Sequence, residues 1–138
     1  MTDTMLNIAT TDDYFNYLTE NIDAQKVVAF SDLSVTDAEK LAQKIRSYTT
    51  REVISVPFFR VAEVINESQT KYAELSLIEL FMRTFGQKYI VFINEFDAFA
   101  NYTEKDFFYS VLRVNIDSLI VLTGNNIRSV AKELLKNV

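Results

Sequence analysis

Residues 89–93, Tyr-Ile-Val-Phe-Ile, form a run of apolar side chains with no polar residue among them. A strand with one wet face alternates with period two, so a short unbroken run is buried on both sides. Strands of that kind belong to parallel sheets covered by helices on both faces. Three further segments fit the same sheet: Lys26-Val27-Val28-Ala29-Phe30, Glu52-Val53-Ile54-Ser55-Val56 and Ser118-Leu119-Ile120-Val121-Leu122. Pro57, the only proline, is expected to stop the second of these.

The intervening segments read as helices. Thr11-Asp12-Asp13 opens one, with acids suited to the positive end of the helix dipole, and Tyr14, Phe15, Leu18 and Ile22 share its inner face. Thr36 and Glu39 have capping-box spacing ahead of Ala38, Leu41, Ala42 and Ile45. Val61, Ala62, Val64 and Ile65 suggest a short helix. A longer one turns Leu75, Ile78, Phe81, Met82 and Phe85 inward and closes at Gly86. Thr103 caps a helix burying Phe107, Phe108, Val111 and Leu112, and a last helix buries Ile127, Val130, Ala131, Leu134 and Leu135. Strand–helix alternation predicts one α/β domain over residues 1–138: a three-layer, four-stranded parallel sheet with helices on both faces. Two strand orders suit it, 1-4-3-2 and 2-1-3-4, and the neighbour of 26–30 decides between them.

Composition removes several chemistries. The 138 residues include no cysteine, histidine or tryptophan, which excludes Cys/His zinc sites, cysteine nucleophiles and histidine bases. No apolar run reaches the roughly 20 residues of a membrane helix, and the N-terminal residues lack a leader's basic and apolar regions. The expectation is a cytoplasmic protein. Residues 1–39 carry eight acids and one base, whereas the remainder carries eleven acids and thirteen bases. The acidic third disfavours direct nucleic-acid contact. It offers Asp12, Asp13, Glu20 and Asp23, with Tyr14 and Tyr17 beside them, as a face for a protein partner. Tyr48, Phe59, Tyr102 and Tyr109 are further aromatic candidates for partial exposure.

Functional loops of a parallel sheet follow the carboxyl ends of its strands. Ile90-Val91-Phe92-Ile93-Asn94-Glu95-Phe96-Asp97 resembles the Walker B segment of AAA+ ATPases. Leu119-Ile120-Val121-Leu122-Thr123-Gly124-Asn125 is similar to their sensor 1 strand, and the likeness spans roughly residues 26–137. The resemblance favours the order 1-4-3-2, with 118–122 between 26–30 and 89–93. It also implies a nucleotide site, which this chain lacks the residues to complete. A P-loop needs glycines that let backbone N–H groups wrap phosphates, and a lysine to neutralise them. Here Asp32 and Asp37 fall on the glycines, Ala38 on the lysine and Glu39 on the Ser/Thr. Asn94 replaces the magnesium-binding Asp, while Glu95 matches the catalytic Glu. Arg113 and Arg128 are available but unassigned as arginine fingers. Acids in place of a cation repel a triphosphate, so no ATP binding and no cofactor are expected.

The resemblance thus implies a non-catalytic interaction or regulatory module, of the kind found in assemblies around replication initiators, helicase loaders and clamp loaders. Two alternatives stand beside it. One is a small acidic inhibitor, immunity or mobile-element protein acting through its N-terminal third. The other is a divalent-metal phosphoryl or phosphodiester enzyme in which Asp32, Glu95 and Asp97 converge. Each loop also has an ordinary structural reading, with Gly124 and the asparagines after it supplying positive φ in a turn.

Overall fold

The computed structural model describes residues 2–6, 11–24, 26–63, 89–103, 105–113 and 118–137. Five strands form one sheet: β1 (Thr2–Leu6), β2 (Lys26–Phe30), β3 (Val53–Pro57), β4 (Ile90–Asn94) and β5 (Leu119–Thr123). The helices are α1 (Thr11–Glu20), α2 (Val35–Tyr48), α3 (Lys105–Arg113) and α4 (Arg128–Asn137). A 3-10 helix (Phe96–Asn101) follows β4, and residues 58–63 are helical. The expected helix carrying Leu75, Ile78, Phe81, Met82 and Phe85 up to Gly86 lies outside the described residues, as do Val64 and Ile65.

Every pairing is parallel and the order is β1-β2-β5-β4-β3. The four expected strands stand in the order 1-4-3-2, with β5 between β2 and β4. The rival order, which would seat β3 beside β2, is excluded. The fifth strand, β1, was not anticipated: it pairs with the free side of β2 from Thr2↔Lys26 to Leu6↔Phe30.

Alternate side chains of the sheet build two cores. Val28, Phe30, Ile90, Phe92, Leu119 and Val121 face α1 and α2, meeting Tyr14, Leu18, Ala38, Leu41, Ala42 and Ile45. Val27, Ala29, Val91, Ile93, Ile120 and Leu122 face the opposite layer, meeting Phe58, Phe96, Phe99, Phe108, Leu112, Ala131 and Leu134. Burying each large apolar side chain contributes about 1.5–3 kcal/mol, so these two layers dominate the stability of the fold. Tyr14, expected at a partner face, is instead buried at 1% exposure and stacked on Phe30 at 4.2 Å. Tyr109 is likewise buried, whereas Tyr48 and Phe59 are exposed. Among the described residues no helix is long and apolar enough to cross a membrane.

Helix α2 starts earlier than the spacing of Thr36 and Glu39 suggests. Ser34 is its N-cap, with φ −70° and ψ 162°, and its hydroxyl accepts a bond from the Asp37 N–H at 3.2 Å. Leu33 and Ala38 flank that cap in the same buried cluster, the arrangement of a hydrophobic staple.

Candidate functional site

Strand parity sets the site. Phe92 in β4 and Val121 in β5 face α2, so the residues two further on, Asn94 and Thr123, point to the same side. Both were expected in loops, but each is the last residue of its strand. Ser55 of β3 pairs in register with Phe92 and therefore joins them. Glu39, one turn into α2, reaches down from above.

These four side chains form one network. The Thr123 hydroxyl donates to Asn94 Oδ1 at 2.7 Å. Asn94 Nδ2 donates to Ser55 Oγ at 2.9 Å and to Glu39 Oε1 at 3.1 Å. Ser55 Oγ donates to the same Glu39 oxygen at 2.7 Å. Asn94 and Thr123 are buried, Ser55 is half-buried, and Glu39 is exposed. The carboxylate thus sits at the rim, where water lowers its desolvation penalty, while the neutral amide takes the interior. Both amide hydrogens of Asn94 are used.

The crevice beside this network is closed by backbone. β2 and β5 are neighbours whose following helices, α2 and α4, go to opposite faces of the sheet. That reversal is the place where open α/β sheets take ligands. Here Leu33 N–H donates to Gly124 O at 3.0 Å, Ile127 N–H to Ser31 O at 3.4 Å, and Asp32 forms an antiparallel bridge with Asn125. Gly124 does not adopt positive φ; in this turn Asn126 does, at 56°. Glycine is required instead by close approach. A Cβ there would stand 2.5 Å from Ile127 Cγ2, 3.1 Å from Asp97 Oδ1 and 3.2 Å from the Phe96 nitrogen.

Of the predicted site residues, Glu39, Asn94 and Thr123 come together, and Asp32 meets Asn125. Asp37 and Ala38 are absorbed into α2, where Ala38 is buried. Glu95 is exposed and left-handed, with φ 55° and ψ 41°, a conformation costing a non-glycine residue roughly 1–2 kcal/mol. It does not enter the network. Asp32, Glu95 and Asp97 are all described, and they form no group able to hold a metal ion. Ser55 was missed. Its signal was a lone hydroxyl at an alternate position of an apolar strand.

Arg46 and Arg51 serve the other end of the sheet. Arg46 donates from Nε and Nη2 to Val53 O, each at 3.3 Å. Arg51 donates to Ile22 O and, at 3.4 Å, to Tyr89 O. Arg128 begins α4 at the carboxyl end and is exposed. No protein-family model matches the sequence, and no curated protein does.

Proposed function

We propose that this chain is a non-catalytic protein-interaction module built on a degenerate P-loop scaffold of the AAA+ type. The observation that carries this reading is the direct bond between Asn94 and Glu39, 3.1 Å long. These two residues fall on the family's magnesium-holding Asp and Ser/Thr. An amide donor and a carboxylate acceptor satisfy each other there, and no place is left between them for a cation.

The neighbouring geometry agrees. α2 begins at Val35, directly after its cap, so residues 35–39 are helical and not a phosphate-wrapping loop. Asp37 and Glu39 add negative charge to that turn, opposing a polyphosphate. The crevice at the strand reversal is held shut by main-chain hydrogen bonds. A metal enzyme using Asp32, Glu95 and Asp97 is not favoured, because those carboxylates do not gather.

The test is a titration of the purified chain with magnesium ATP, followed by calorimetry and thermal unfolding. A ligand present at 100 times its Kd stabilises by about 2.7 kcal/mol. The expected result is no heat and no shift. Saturable binding that is lost in Glu39→Ala, or any turnover, overturns the proposal.

A further inference from the structure

The surface carries two complementary stripes on opposite sides of the sheet. On α1, Asp12, Asp13, Asn16 and Glu20 are all exposed. At 100° per residue they fall within one arc, facing away from the buried Tyr14 and Leu18. The helix contains no basic residue. On α4, Arg128, Lys132 and Lys136 recur every four residues and are all exposed. The helix's one acid, Glu133, lies 3.9 Å from Lys105.

The stripes match in length: Asp12 to Glu20 and Arg128 to Lys136 each span about 12 Å of helix. They cannot meet within one molecule. α1 packs in the layer of Val28 and Phe30, and α4 in the layer of Val27 and Ala29, with the sheet between them. We propose that this chain associates head to tail with further copies of itself, the acidic α1 face of one copy seating on the basic α4 face of the next. This goes beyond the nucleotide-site reading and uses none of its residues.

A heterologous contact of this kind leaves one acidic and one basic face free at the ends, so it propagates and does not stop at two copies. Exposed ion pairs are individually weak and are screened by salt. The association is therefore concentration-dependent and salt-labile. Asp12 bonds Lys44 at 3.1 Å and is left unaltered in the test.

Sedimentation of the full chain at ionic strengths of about 0.02 M and about 0.5 M reads the contact directly. At low salt the average mass rises with concentration past that of a dimer, and at high salt it returns to the monomer. The double variants Asp13→Lys with Glu20→Lys, and Lys132→Glu with Lys136→Glu, each remain monomeric at low salt. Mixed in equal amounts they associate again, because each supplies the face the other has lost. All four positions are exposed, and circular dichroism serves as the check that both variants fold. Four results overturn the proposal: a monomer at every low-salt concentration, a salt-insensitive closed dimer, association unchanged by either reversal, or failure of the mixture to associate. A monomeric chain whose α4 stripe instead binds a DNA oligonucleotide, or whose α1 stripe binds polylysine, assigns that stripe to another occupant and overturns it equally. Neither stripe touches the ATP titration, so either proposal can fail without the other.

Discussion

Replacing Asn94 by Asp is the sharpest probe of the network joining α2 to β3, β4 and β5. The change keeps the shape and the acceptor for the Thr123 hydroxyl, which now lies 2.7 Å away. It removes both donors, those reaching Ser55 at 2.9 Å and Glu39 at 3.1 Å. Two lost hydrogen bonds contribute about 0.5–1.5 kcal/mol each, and more where one partner is charged. The new carboxylate also faces Glu39. At 3.1 Å, like charges repel by about 1 kcal/mol in water and about 5 kcal/mol at an effective dielectric of 20. Glu39 is exposed, which places the repulsion near the lower figure. The expected loss is about 2–4 kcal/mol at pH 7, measured as a shift in the urea midpoint with unchanged slope. Adding Glu39→Gln removes the repulsion and restores an amide donor across the contact. The double variant should recover at least about 1 kcal/mol relative to additivity. An Asn94→Asp loss within about 0.5 kcal/mol of zero, or strictly additive effects, refutes the reasoning.

Two other substitutions test the closure and the far layer. Gly124→Ala forces a methyl toward Ile127 and the Phe96 backbone, and should destabilise by about 1–3 kcal/mol in the same assay, with Ile127→Ala partly relieving it. Burial first, then the Glu133 and Asp106 carboxylates, hold the Tyr109 phenol above the ordinary value of 10.0. The folded chain therefore keeps a proton that the unfolded chain loses, so this stability is intact below about pH 10 and falls as pH rises through the folded value. Tyr109→Phe should flatten the alkaline limb of the stability profile and leave its slope below pH 9 unchanged.

The interior strands were legible because burial on both faces leaves no alternation, and β4 and β5 are buried along their whole length. β1 was not legible. Asp3 is a poor strand former, Thr2-Asp3-Thr4 carries no large apolar side chain to mark a buried strand, and the segment pairs with the edge of β2. Two capping patterns compete in Ser34-Val35-Thr36-Asp37-Ala38-Glu39, and sequence spacing alone does not rank them. Capping at Ser34 lets Leu33 bury and lengthens α2 by two residues, so packing decides. At the site, Glu39, Asn94 and Thr123 were marked by position, while Ser55 needed the β3–β4 register to become visible. Gly124 was read as a turn residue, and its close approach to Phe96 depends on a loop from another strand.

A site that has merely lost its ligand leaves buried polar groups at the strand ends with nothing to bond, each a penalty of about 1–3 kcal/mol. Asn94 and Thr123 show the opposite: each is buried and bonded, and the network's one charge sits on the exposed helix residue. With the acid on the helix and a neutral amide on the strand, the interior holds no buried carboxylate at this position. On the proposed reading the carboxyl end of the sheet is stable without an occupant, and the backbone bonds between the loops after β2 and β5 fix it further. A rigid, self-satisfied edge has little to offer a ligand that must reorganise it. Recognition on that reading falls to surfaces whose charges face solvent, and the stripes on α1 and α4 are opposed in sign and equal in length.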